Sequence, residues 1–125
     1  MRKAVAVDFD GTLCVSDFPT ILEPIPEAIE FVKQCNQAGV AVILWTCRTD
    51  EHLDDAMAWC YEQGIHINKA NANLSDWQEE YHAKFPHVNP DGRKVAADLY
   101  IDDKANFSGI EWDKAFDWLR KVGYK

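Results

Sequence analysis

Apolar positions fall in blocks along this chain, and the spacing within each block predicts an element. Residues 3–9 are apolar at every position from Ala4 to Val7, the continuity of a strand buried on both faces in the middle of a parallel sheet. Asp8, Asp10 and Gly11 then arrive at its C-terminal end. Over residues 26–38 the period becomes helical. Pro26 suits the first turn, Ile29, Val32 and Cys35 form one stripe, and Gly39 ends it. Residues 40–45 predict a second apolar strand that ends at Thr46. A second helix is expected over residues 50–63, with Asp50 as its N-cap, Leu53, Met57 and Cys60 in a stripe, and Gly64 as its stop.

A short strand is expected at residues 65–68, followed by a polar stretch over 69–91 that lacks a clean period and reads mostly as loop. A connection that long is usually functional or contains a short helix. Residues 96–102 predict another sheet strand, and 110–122 a last helix with Trp112, Phe116 and Leu119 on a core-facing stripe. Strand–helix alternation of this kind predicts one α/β domain over residues 1–125: a doubly wound, Rossmann-like parallel sheet with helices on both faces.

Composition agrees and narrows the function classes. The 125 residues are 47% hydrophobic and 27% charged, enough apolar surface for one core. The net charge of −8 opposes a nucleic-acid backbone, so nucleic acid is not an expected partner. Phosphate chemistry survives this objection, because a bound cation reverses the field inside a pocket. Cys14, Cys35, Cys47 and Cys60 lack close paired spacing and read as reduced thiols in the core. That usage suits a reducing cytosol. Asp8 and Asp10 cut the first apolar run too early for a signal peptide, and no stretch approaches the roughly 20 apolar residues of a membrane helix. A soluble, cytoplasmic protein without a membrane partner is expected.

The candidate chemistry gathers at strand ends. Open parallel sheets bind ligands beyond the carboxyl ends of their strands, where strand order reverses. Three strands deliver polar groups to that edge: Asp8-Phe-Asp-Gly-Thr12, Thr46-Cys-Arg48, and Asp102-Asp103. The carboxylates of Asp8, Asp10, Asp102 and Asp103 would repel one another without a cation. Oxygen ligands with room for water and phosphate point to Mg²⁺. The four histidines, His52, His66, His82 and His87, have no zinc spacing.

Asp8-Phe-Asp-Gly-Thr12 after an apolar strand resembles the first motif of the haloacid dehalogenase-like hydrolases. Thr46 resembles their second motif, Lys94 their third and Asp102-Asp103 their fourth. The stretch from Arg93 to Asp103 is also similar to that of small phosphatases and deoxyribonucleotidases in this superfamily. The resemblance covers nearly the whole chain and implies a haloacid dehalogenase-type fold. It implies a Mg²⁺-dependent phosphomonoesterase that acts through an aspartyl-phosphate, on a nucleotide or another small phosphate ester.

In that pattern Asp8 is the nucleophile, and Asp10 protonates the leaving oxygen and then deprotonates water. Asp8, the Asp10 carbonyl and Asp102 hold the metal, with Asp103 on a metal-bound water. Thr46, with the backbone near Cys47, binds the phosphoryl oxygens. Lys94 offsets their charge, with Lys84 and Lys69 as alternatives. Arg48 is placed either on substrate or in a surface salt bridge to the Asp50–Glu51 region.

The intervals between motifs are too short for a cap domain, so the site is expected to be open or covered only by short elements. Residues 14–23 are expected to form a small flap. Trp77, Tyr81 and Phe85 either stack on a base or pack along one helix face. Two other function classes remain open here: a phosphotransferase or mutase using the same aspartates, and a non-catalytic metal- or phosphate-binding module. The sequence leaves oligomeric state open, with a neighbouring subunit as one way to cover an uncapped site.

Overall fold

Ala4–Val7 forms the first strand, β1, and all four residues are buried. The computed structural model describes residues 2–89, 94–104 and 109–123, so Asp91 and Arg93 of the sequence reading lie outside the described residues. After β1 the chain makes a small antiparallel hairpin, β2 (Cys14–Asp17) and β3 (Thr20–Pro24), before entering α1 (Pro26–Gln37). β4 (Ala41–Leu44), α2 (Asp50–Glu62), β5 (Lys69–Ala70), α3 (Ser75–Lys84), β6 (Leu99–Ile101) and α4 (Trp112–Val122) follow.

The main sheet is parallel throughout, in the order β5-β4-β1-β6. From β1 the chain steps outward through β4 to β5, then returns across the sheet to β6. The reversal therefore falls between β1 and β6, which places a crevice beyond Asp8 and Asp102.

Side-chain alternation along the strands divides the core in two. Val5, Val7, Val42 and Leu44 pack with α1, α2 and α4 through Phe31, Val32, Ala56, Cys60, Ala115 and Leu119. Ala4, Ala6, Ala41 and Ile43 face the other way, toward Leu74, Val95 and Trp77. Small residues on this second face suit the thinner layer that α3 and the segment before β6 provide. This is the expected doubly wound α/β sheet with helices on both faces.

Three expectations are corrected. Residues 65–68 are not a strand. The Asn68 N–H donates to the Val42 carbonyl at 2.8 Å, but the Val42 N–H is accepted by the Asn68 side-chain Oδ1 at 2.8 Å, and the residue-to-residue register with β4 starts at Lys69. The polar stretch after it holds α3, whose face carries a self-stacked column: Trp77 to Tyr81 at 4.8 Å and Tyr81 to Phe85 at 5.1 Å between ring centres. The helix-packing alternative for these rings is the one observed. The N-cap of α2 is Thr49, and Asp50 is its first residue, with φ of 49°.

Cys14, Cys35 and Cys60 are buried as expected, and burial pushes their thiols up to about 11, 12 and 12. Cys47 departs from that pattern and is exposed. Among the described residues no helix is long and apolar enough to cross a membrane.

Candidate active site

Asp8 follows β1 directly, and its N–H donates to the Ile101 carbonyl at 2.9 Å. That bond fixes the end of β1 against the end of β6 and brings Asp8 beside Asp102 and Asp103. The three carboxylates each offer an oxygen lying within 4.8 Å of the other two. Burial pushes the Asp8 carboxyl up to about 7, opposed by the Phe9 N–H and reinforced by the neighbouring Asp102 and Asp103.

Asp103 is held by two devices in the first motif. Its N–H donates to Oγ1 of fully buried Thr12 at 3.2 Å. Gly11 has φ of 81°, and a Cβ there would lie 2.5 Å from Asp103 Oδ2. Only glycine accommodates both the backbone and this approach. Asp103 Oδ1 is buried without a hydrogen-bond partner. An orphaned buried carboxylate oxygen beside two other carboxylates is the donor set of a hard divalent cation, so these residues fit one. Asp103 thus joins Asp8 and Asp102 in the cluster itself.

Asp10 is turned elsewhere. Arg48 Nε donates to Asp10 Oδ2 at 2.9 Å, and Nη2 donates to Oδ1 at 2.7 Å. The guanidinium, with a hydrogen bond from Ser16 and against the opposing effect of burial, holds the Asp10 carboxyl below its ordinary range. Arg48 is only 1% exposed. Its Cζ lies 5.0 Å from the ring centres of both Phe9 and Phe18, and Nη2 also donates to the Pro19 carbonyl at 3.2 Å. The surface salt bridge to the Asp50–Glu51 region is therefore replaced by a buried bidentate pair with Asp10.

Thr46 lies just beyond β4. Its Oγ1 accepts the Arg48 N–H at 3.2 Å, leaving the hydroxyl proton available to donate. A residue absent from the sequence reading shapes this loop. Asn71 Oδ1 accepts the Thr46 N–H at 2.8 Å, and Nδ2 donates to the Arg48 carbonyl at 3.3 Å. Asn71 has φ of 53°, a conformation that asparagine tolerates better than most residues. Its position just after a strand end was the available signal.

Cys47 is exposed on the same loop. Lys94 is exposed, with Nζ 5.1 Å from the centre of the Tyr100 ring. Of the alternative lysines, Lys84 pairs with Glu80 at 3.5 Å, and Lys69 sits in β5 opposite Ile43.

Among solved structures, a conserved protein from Bacteroides thetaiotaomicron is 36% identical, with a TM-score of 0.75 over 97% of this chain and 92% of that one. A D,D-heptose 1,7-bisphosphate phosphatase from Burkholderia thailandensis is 18% identical, with a TM-score of 0.45 over 98% of this chain and 75% of that one. A Vibrio cholerae protein is 20% identical, with a TM-score of 0.44 over 95% and 98% of the two chains. No family model matches the chain, and no curated protein matches it.

Proposed function

We propose that this chain, which belongs to the same family as the conserved Bacteroides thetaiotaomicron protein, is a Mg²⁺-dependent phosphomonoesterase of the haloacid dehalogenase-like type. The observation that carries this reading is the cluster of Asp8, Asp102 and Asp103 at the strand-order reversal, with the orphaned oxygen of Asp103 inside it. The first-motif pattern Asp8-Phe-Asp-Gly-Thr12 supports it independently.

Asp8 is the nucleophile of this reading. One of its carboxylate oxygens forms a bond to phosphorus as the ester P–O bond breaks, giving an aspartyl-phosphate and a free alcohol. Asp10 gives the departing oxygen its proton. It then takes a proton from the water that cleaves the aspartyl-phosphate, which returns Asp8 and releases inorganic phosphate. Arg48 holds Asp10 in the ionised form, the one needed for the second step. Delivering a proton in the first step requires the acid form, which the same contact disfavours.

The Thr46 hydroxyl and the adjoining backbone N–H groups are placed to bind phosphoryl oxygens, and Lys94 is assigned to offset their charge. A cation on Asp8, Asp102 and Asp103 would neutralise charge between nucleophile and phosphate. A small-molecule ester is the proposed substrate, since the net charge of −8 opposes the backbone of a nucleic acid.

The test is phosphate release from a panel of nucleotides, sugar phosphates and an aryl phosphate, with Mg²⁺ or EDTA. Release that requires Mg²⁺ and disappears in Asp8→Asn is the expected result. Undiminished release in that variant would remove the covalent mechanism. Silence across the whole panel would favour a binding module on the same fold.

A further inference from the structure

The short connection after exposed Lys94 is tied down at every residue. Val95 is buried against Ala4, Ala6, Ala41 and Ile43 on the second face of the sheet. The Ala96 N–H donates to Oδ1 of buried Asn73 at 2.6 Å. Tyr100 adds two bonds: its hydroxyl donates to the Val95 carbonyl at 2.7 Å and accepts the Ala97 N–H at 3.2 Å. Tyr100 is the middle residue of β6, between Leu99 and Ile101, which pack with the core around α1, α2 and α4. Alternation turns it to the other face, toward Val95.

There the Lys94 ammonium stands 5.1 Å from the centre of the Tyr100 ring. Lys3, Lys84 and Lys114 each pair with a carboxylate. Lys94 has no such pair among the described residues. One side chain thus holds both the backbone that bears Lys94 and the charge at its end. We propose that Tyr100 is a positioning residue: its ring and hydroxyl keep the Lys94 ammonium ready for the phosphoryl group, on the strand that delivers Asp102. The inference rests on the phosphomonoesterase reading and on Lys94 as its lysine.

The physical advantage lies in what a ring does and a carboxylate cannot. A lysine stem loses rotamer freedom when its ammonium binds an anion, and restraining it beforehand reduces that loss. A carboxylate partner would restrain the ammonium too, but would neutralise it and compete with phosphate. An aromatic face attracts the ammonium through its quadrupole and leaves the positive charge whole. Asp102 of the acidic cluster follows Tyr100 by two residues, roughly 7 Å of strand. A purely architectural role for Tyr100 accounts for the two hydroxyl bonds but not for the ammonium over its ring.

The test is a double-mutant cycle on hydrolysis of para-nitrophenyl phosphate with Mg²⁺, using Tyr100→Leu, Lys94→Ala and the two together. With Lys94 present, loss of the ring should lower kcat/KM about 2- to 5-fold, the range of a cation–π contact at an exposed site. In the Lys94→Ala background the same change should cost nothing further. Tyr100→Phe, which keeps the ring and loses the hydroxyl bonds, should recover part of the loss. An equal loss in both backgrounds, or no loss in either, overturns the proposal, since an architectural role does not depend on the lysine. Should Tyr100→Leu fail to fold, the cycle is run with Tyr100→Phe, and an additive result there overturns it as well. Should wild type release no phosphate, calorimetry with inorganic phosphate and Mg²⁺ separates the two ideas. Binding weakened by Tyr100→Leu only when Lys94 is present keeps the positioning role while the hydrolytic reading falls. Binding equal in wild type and Tyr100→Leu, or absent from both, overturns it.

Discussion

Arg48 grips both carboxylate oxygens of Asp10, at 2.9 and 2.7 Å, while its own side chain is all but sealed from water. A buried cation satisfied by one carboxylate makes that carboxylate structural as well as chemical. Asp10→Asn should therefore lower stability along with turnover, by about 3 kcal/mol if the guanidinium stays buried without its counter-charge. Arg48→Lys should also lose stability, since an ammonium cannot donate in a fork. Chemical denaturation of both variants checks this, and full stability in Asp10→Asn would show that the pair is not needed to hold the fold.

Asp8 makes the metal-free protein sensitive to pH. Its folded carboxyl lies near 7 against an ordinary value of 3.8, so folding takes up a proton between those values. The stabilising contribution is complete below about pH 4 and is lost as pH rises through about 7. In EDTA the melting temperature should fall from pH 5 to pH 8 more steeply for wild type than for Asp8→Asn. Mg²⁺ should raise it more at pH 8, where the carboxylates are ionised. Parallel slopes for the two proteins in EDTA would contradict the burial-driven shift.

Gly11→Ala brings a Cβ to 2.5 Å from Asp103 Oδ2 at a residue whose φ is 81°. The backbone cost alone is about 1–2 kcal/mol, and the displaced Asp103 should weaken Mg²⁺ binding. Calorimetric titration with Mg²⁺ reads the second effect separately from a thermal melt. Unchanged affinity would take Asp103 out of the metal cluster.

Asn71→Ala removes the acceptor for Thr46 N–H and the donor to Arg48 carbonyl. A loss of about 1–3 kcal/mol in stability is expected, together with a raised KM from a looser Thr46 loop. Asn71→Asp keeps the acceptor and should recover part of the KM effect. Equal kinetics in all three proteins would leave Asn71 with a folding role alone.

Lys94→Ala tests the lysine assigned to the phosphoryl charge. The expected loss in kcat is about 2.7–4 kcal/mol of transition-state stabilisation, whereas Lys84→Ala, whose amine pairs with Glu80, should be near neutral. The reverse ranking would reassign the role.

The continuous apolar runs of β1 and β4 and the stripes of α1, α2 and α4 were readable because each follows from local periodicity. The edge at which Asp8, Thr46 and Asp102 gather was readable too, since chain order and parallel pairing bring strand ends together. α3 was legible only in the helical spacing of Trp77, Tyr81 and Phe85; none of the helix's residues is buried, so no core-facing stripe fixed its bounds. β5 escaped because the Asn68 side chain replaces a backbone partner, which no propensity encodes.

The sequence by itself determined β1, β4, α1, α2 and α4 and the aspartates and Thr46 at the sheet edge, because these depend on near neighbours along the chain. Tertiary structure alone decided how those groups divide. Asp8, Asp102 and Asp103 converge on one point, while Asp10 turns to Arg48, 38 residues away along the chain. Long-range charge pairing and burial make that choice, and they exist only after the strands have assembled and excluded water.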